Sequence, residues 1–173
     1  MSLFGENYKD KKSLVIYFSR ADENYAVGYI NKGNTEVIAE YIRDITGADL
    51  FRVDRAVPYS ANYKECCDEA LIEKNNNERP AISRKLESID EYEVIYIGFP
   101  IYWGTMPMPL FTQLEQLNWK GKIVKFFSTH EGSGLGSSEK DIKRICQGAE
   151  IKEGLAIRGS SVNSARNKVE EWI

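Results

Sequence analysis

The amino-acid sequence predicts an α/β protein built on a five-stranded parallel sheet in the order 2-1-3-4-5. Two observations carry that prediction. Short apolar runs alternate with stretches of helical period, the pattern of strand–helix–strand units joined by right-handed crossovers. Polarity then ranks the strands. The runs at residues 14–18 and 94–99 hold no charge and suit central positions buried on both faces, whereas those beginning at Leu50 and Ile151 carry charge and suit the edges. In a sheet of this order ligands bind beyond the carboxyl ends of the strands, near strands one and three. The residues to read are therefore those after Phe18, Phe99 and Ser128.

The elements follow in chain order. Leu14-Val15-Ile16-Tyr17-Phe18 is the first strand, ending at Ser19. Residues 35–46 bring Val37, Ile38, Tyr41, Ile42 and Ile45 to one helical face, and Gly47 stops the helix. Residues 50–54 form a charge-mixed second strand. Residues 63–74 read as a helix that the 75–80 stretch breaks. The third strand is 94–99, followed by a short helix at 110–117 and a fourth strand at 123–127. A helix at 137–146 has Gly148 behind it, a weaker fifth strand spans 151–157, and a helix at 164–173 closes the chain. With 173 residues the whole chain reads as a single domain, residues 1–12 being a loose polar leader.

Composition excludes several classes. A hydrophobic share of 42% and a charged share of 28% describe an ordinary globular chain, not a disordered, collagen-like or coiled-coil one. No apolar run approaches the ~20 residues of a membrane span, and the polar start lacks the apolar core of a signal peptide. A net charge of -3 offers no basic face for nucleic acid. Three cysteines, two of them adjacent, make no even disulfide framework and fit a reducing cytoplasm. Cys66, Cys67 and Cys146 are expected on helices away from the functional loops. The single histidine, His130, argues against a His-dominated metal site or a Cys/His protease, so neither a metal nor a catalytic set is expected.

Three loops remain. In the first, Gly33-Asn34-Thr35 opens a helix with free amides and the positive end of the helix dipole, an anion site suited to phosphate. Plain capping by Asn34 is the alternative. No Gly-Lys-Ser/Thr follows, so a nucleoside triphosphate is not indicated. The second loop, Phe99 to Pro109, sets Tyr102 and Trp103 among three prolines and a glycine right after a central strand. Rigid aromatics there suit stacking on a flat heterocycle, with core packing as the alternative. The third, Thr129 to Ser137, is glycine-rich, so backbone amides can approach a planar ligand. Ser137 stands where a dinucleotide fingerprint needs Gly or Ala, and the unit is not the first crossover. His130 reads as an ordinary loop residue rather than a proton-transfer group.

Together these stretches resemble the flavodoxin-like family over nearly the whole chain from Leu14 onward. The resemblance rests on Val15-Ile16-Tyr17-Phe18-Ser19, Gly33-Asn34-Thr35-Glu36-Val37-Ile38-Ala39, Ile97-Gly98-Phe99-Pro100-Ile101-Tyr102-Trp103-Gly104, Gly121-Lys122 leading into Phe127-Ser128-Thr129, and Gly132-Ser133-Gly134-Leu135-Gly136. It implies a three-layer α/β/α sandwich and a site for flavin mononucleotide (FMN). Ser19, Arg20, Asn34 and Thr35 match the family's phosphate loop. Pro100, Ile101, Tyr102, Trp103 and Gly104 match the turn beside the isoalloxazine, and Thr129, His130, Glu131 and Gly132 the loop at the ring's other edge. One departure stands out: residues 21–32 interrupt the usual compact phosphate turn, and with Tyr25 and Tyr29 this insertion is expected to cover the cofactor or narrow access. The resemblance implies an electron-transfer flavoprotein, cytoplasmic, monomeric or homodimeric. Its partners would be redox proteins or a small electron acceptor, with no nucleic acid and no membrane. A flavin-dependent NAD(P)H:quinone-type oxidoreductase is the alternative, since -3 is mild for a carrier's acidic docking face. A carbonyl of the Tyr102–Gly104 turn is expected to accept a hydrogen bond from the reduced ring if the turn flips.

Overall fold

The computed structural model describes residues 8–24 and 26–173. In chain order these form β1 (Ser13–Tyr17), β2 (Asp22–Asn24), β3 (Gly28–Ile30), α1 (Asn34–Thr46), β4 (Asp49–Arg52), α2 (Tyr63–Asn75) and β5 (Val94–Pro100). They continue with α3 (Met108–Leu114), β6 (Ile123–His130), α4 (Ser138–Ile145), β7 (Glu150–Ile151), β8 (Leu155–Arg158), a 3-10 helix (Gly159–Ser164) and α5 (Arg166–Trp172).

The main sheet runs β4-β1-β5-β6 with parallel pairing throughout, and β6 then pairs in parallel with both β7 and β8. This is the expected 2-1-3-4-5 order with its last strand in two pieces. The charge-free runs are central and the charge-bearing ones are edges. The break has a local cause. Val124 pairs with Ile151 and Phe127 with Leu155, so the edge strand spends one more residue than its partner over the same span. That extra residue is a bulge. Gly154 sits in it, where a Cβ would lie 2.5 Å from the Phe126 ring.

Alternate strand residues face opposite sides of the sheet, which creates two apolar cores. Ile16, Phe18, Ile95, Ile97, Val124 and Phe126 pack towards α2, α3 and α4. Val15, Tyr17, Tyr96 and Phe127 pack towards α1 and α5. The result is the three-layer α/β/α sandwich. Among the described residues no helix is long and apolar enough to cross a membrane.

Three expectations need correction. The leader is not loose from Tyr8 onward: Tyr8 is 4% exposed within the second core, and the Lys12 carbonyl accepts from Glu93 N–H at 2.9 Å. Residues 1–7 of that leader lie outside the described residues. The closing helix is α5 alone, Arg166–Trp172, and an unexpected 3-10 helix at Gly159–Ser164 comes before it. Residues 21–32 are not a plain loop either, since β2 and β3 form an antiparallel hairpin. Its stem is tied by Asn24, whose Nδ2 donates to the carbonyls of Arg20, Ala21 and Asp22.

Gly98 is the tightest point of the central sheet. It pairs with Phe127, and a Cβ there would lie 2.0 Å from that ring, itself fully buried and edge-on to Trp172. Gly98→Ala should lower stability by ~1–3 kcal/mol through overpacking. Phe127→Leu should recover part of that loss, so the double variant in urea denaturation should be more stable than the two single losses add up to.

Candidate functional site

The carboxyl ends of β1, β5 and β6 share one rim, where the three loops and α2 enclose an open cleft of about 640 Å³. That is within the usual range of small-molecule sites. All the sequence-predicted residues line it except Ser19, buried behind its wall, and Gly132.

The first wall is the start of α1. Its N-cap is Gly33, not Asn34, and no side chain of the cap reaches the helix amides. Ser19 does so from the end of β1: its Oγ accepts from Glu36 N–H at 3.0 Å. Only glycine permits this approach, because a Cβ on residue 33 would lie 2.1 Å from that oxygen and 2.8 Å from the Arg20 carbonyl. The amides of Asn34 and Thr35, first in the helix, have no intrahelical acceptor. Thr35 and Thr129 share a buried hydroxyl–hydroxyl bond of 2.8 Å that pins this helix end to β6.

Two arginines act differently from what their positions suggest. Arg20 was matched to the phosphate loop, yet its guanidinium donates to the carbonyls of Ser60 (2.7 Å) and Ala61 (2.9 Å), tethering the segment before α2. Arg52, read only as a charge marking an edge strand, braces the helix start. It donates to Glu36 at 2.6 Å, to the Ser19 carbonyl at 2.8 Å and to Asp54 at 2.8 Å. Its charge offsets the Glu36 carboxylate, which would otherwise oppose an anion at this end of α1.

The second wall is the turn after β5. Tyr102 and Thr105 exchange backbone bonds of 2.8 and 3.4 Å across Trp103 and Gly104, both with positive φ (53° and 90°). A tryptophan in that region costs of the order of 1–3 kcal/mol, and the surroundings impose it. The indole N–H donates to the Cys67 carbonyl at 2.8 Å, and the Lys74 ammonium donates to the Trp103 carbonyl. The Gly104 carbonyl accepts from Ser137 N–H (2.7 Å) and Oγ (3.1 Å). The expected flip of this turn therefore meets two occupied carbonyls. Tyr102 also differs from expectation as a stacking surface: its ring packs edge-on to Phe18 (5.7 Å) and Tyr59 (5.8 Å). Burial pushes its phenol well up. Trp103, 46% exposed, is the aromatic presented at the mouth.

The third wall follows β6. Gly132 N–H donates to His130 Nδ1 at 2.9 Å, and Ser128 Oγ donates to the Gly134 carbonyl at 2.7 Å. Glu131 accepts from Ser160 N–H at 2.9 Å, with Arg158 3.8 Å off. Burial first, then Arg158, pushes the His130 imidazole below its ordinary value.

A fourth wall was not legible. Tyr63, Lys64, Cys66, Cys67, Asp68 and Ala70 of α2 close the far side. Cys66 and Cys67 are therefore at the cleft, against expectation, while Cys146 is buried away from it. Burial raises the Cys66 thiol above its ordinary value, which favours its protonated form. Asn62 caps α2 by accepting from Glu65 N–H at 3.0 Å, a readable local signal. Its position across the cleft depends on the remote Arg20 tether, which leaves no local mark. Of the insertion's described residues, Asn24 lines the cleft while Tyr29, 70% exposed, stands outside its lining. Tyr25 lies outside the described residues.

Residues 12–173 match the family model described as Flavodoxin. The chain belongs to the flavodoxin family. Among relatives of this flavodoxin-family protein is an FMN-dependent NADH:quinone oxidoreductase of Bacillus cereus, 25% identical over 146 residues, which span 80% of this chain and 69% of the relative. A crystal structure from Bacteroides uniformis superposes with a TM-score of 0.73 at 26% identity, covering 93% of this chain and 99% of that one. A Lactobacillus acidophilus flavoprotein in complex with FMN gives a TM-score of 0.63 at 22% identity, over 89% and 97% of the two chains, a likeness of fold.

The seat of α1 can be tested without a ligand. Thr35→Val and Thr129→Val should each destabilise the fold by ~1–2 kcal/mol, since each strands the other hydroxyl. The double variant should cost less than the sum, giving a coupling of about 0.5–1.5 kcal/mol in a denaturation cycle.

Proposed function

We propose that the cleft binds FMN, with the phosphate at the start of α1 and the isoalloxazine against Trp103, and that the protein works in electron transfer. One observation carries the reading: α1 begins on the cleft with uncapped amides, in the same cavity as an exposed indole on a rigid turn. The donor set fits the group. Asn34 and Thr35 offer amides and neutral side chains to a phosphate, the helix dipole adds positive potential, and Gly33 keeps the cradle open. Ile101 and Trp103 give a flat ring an apolar, polarisable wall. When bound, the flavin supplies the redox chemistry; the chain binds and orients it and keeps water from its inner face. Electrons would pass to a redox protein or a small acceptor at the exposed mouth.

A second reading, a flavin-dependent NAD(P)H:quinone-type oxidoreductase, is favoured by the locked turn and by the similarity to the Bacillus cereus relative. Against it stands the shortage of basic groups for a dinucleotide phosphate. Arg20 holds carbonyls, Lys32 pairs with Glu40 at 2.8 Å, and Lys64 on the α2 wall pairs with Asp68 at 3.0 Å.

Two measurements test these readings. Thr35→Ala loosens the α1 seat for either ligand, so FMN binding should weaken roughly tenfold or more beyond whatever loss riboflavin, lacking the phosphate, shows, the scale of one lost hydrogen bond to a charged group. Equal losses for both ligands would put the phosphate elsewhere. Stopped-flow mixing of the FMN-loaded protein with NADH or NADPH should give slow bleaching; rapid bleaching would make the oxidoreductase reading the better one.

A further inference from the structure

We propose that residues 57–80, which carry α2, are a hinged gate of the cleft, and that the buried Glu73 is its latch. The proposal rests on the FMN reading only for the identity of the ligand that passes. The hinge is a closed stem. Arg55 and Ile82 form an isolated antiparallel bridge, with Ala56 N–H donating to the Ala81 carbonyl at 2.8 Å and Ser83 N–H to that of Asp54 at 2.9 Å. The chain between these arms is a loop with its ends pinned together, and its helix forms the far wall of the cleft. The exit arm is anchored further to α3, where Thr112 donates to the Pro80 carbonyl at 2.8 Å and Arg79 pairs with Glu115 at 2.7 Å.

Little apolar surface holds α2 down. Its buried residues are Cys66, Ala70 and Glu73, two small side chains and a carboxylate, and its Ile72 is 58% exposed. By contrast, α1 buries Ile38 and Ile42 in full. Burial stabilises in proportion to area, so α2 should open well before the sheet does. Polar contacts hold it closed. Glu73 accepts from Arg55 Nε at 2.7 Å and from the Tyr59 hydroxyl, and the Arg55 guanidinium lies 4.5 Å over the Tyr59 ring. Arg55 belongs to the stem, so the latch joins the helix to its own hinge. The Tyr59 ring meets Phe18 and Tyr102 edge-on at 6.0 and 5.8 Å, which seats the gate against the cleft wall. A carboxylate suits the task. Burying it unpaired is costly, yet it is satisfied either by Arg55 and Tyr59 when closed or by water when open. A buried leucine would favour closure alone. Opening also releases the bonds from Arg20 to the Ser60 and Ala61 carbonyls and from the Trp103 indole to that of Cys67.

Native-state hydrogen exchange in low urea tests the gate without a ligand. In the wild-type protein the α2 amides should exchange faster than those of β5 by roughly tenfold or more, with a weaker dependence on urea. Glu73→Gln and Tyr59→Phe each weaken a bond that involves a charged group, and each should raise α2 exchange roughly tenfold. Stopped-flow binding of FMN and of riboflavin then separates a latch from a merely structural group. The latch is made in the empty and in the loaded closed protein alike. Weakening it should therefore speed association and dissociation by similar factors and leave the affinity nearly unchanged. Loss of a merely structural contact would speed dissociation alone. The proposal is overturned if α2 exchanges only together with β5, if the variants leave its exchange unmoved, or if they bind no faster than wild type. Should the wild-type protein bind neither flavin, the FMN reading fails and the exchange result alone decides the gate.

Discussion

The buried bond between the Thr35 and Thr129 hydroxyls joins the first turn of α1 to a strand more than ninety residues on, and the geometry of the cleft follows from it. A helix beginning at the rim of a parallel sheet presents unpaired amides there. What this chain adds is rigidity. Ser19 satisfies the Glu36 amide from β1, so two central strands hold the same helix end. Gly33 is then unavoidable, because the Ser19 hydroxyl and Arg20 carbonyl occupy the space a side chain would need. Arg52 completes the seat by holding the Ser19 carbonyl and neutralising Glu36. The outcome is an anion-favouring end whose positive potential comes from backbone and dipole, with both nearby arginines committed to protein partners.

The turn after β5 follows a similar logic with the opposite sign of strain. Trp103 adopts a left-handed backbone that its bulk disfavours, and contacts with Cys67, Lys74 and, through Gly104, Ser137 hold it there. Every one of those partners lies on α2 or at the start of α4. The indole face at the cleft mouth is thus set by helices remote in sequence, and the turn resists a change of peptide orientation. A pre-set wall of this kind lowers the ordering cost of binding a planar ligand.

Much of this was legible in the residues. Continuous apolar runs locate β1 and β5, and the charges of β4 and of the β7–β8 edge rank the strands, because burial on one or both faces leaves a direct mark on composition. The glycine and aromatic loops pointed to the rim where the cleft opens. Less legible was anything resting on side chains of distant segments. Arg52 looks like an edge charge until Ser19 and Glu36 are placed beside it, and Arg20 looks like a phosphate ligand until the 60–61 carbonyls are. The α2 wall, with Cys66 and Cys67, leaves no signal in its own sequence. The hairpin and the bulge at Gly154 escaped for a simpler reason: runs of two to four residues are too short to show a period.

The central claim is that one cleft holds a phosphate at α1 and a flat ring at Trp103. Backbone ¹H–¹⁵N shift mapping with FMN and then riboflavin tests it most directly. Both ligands should move the amides of Trp103, Gly104 and residues 130–132, and FMN alone should strongly move those of Asn34 and Thr35. Perturbations confined to another face, or an α1 response that riboflavin reproduces in full, would contradict the account.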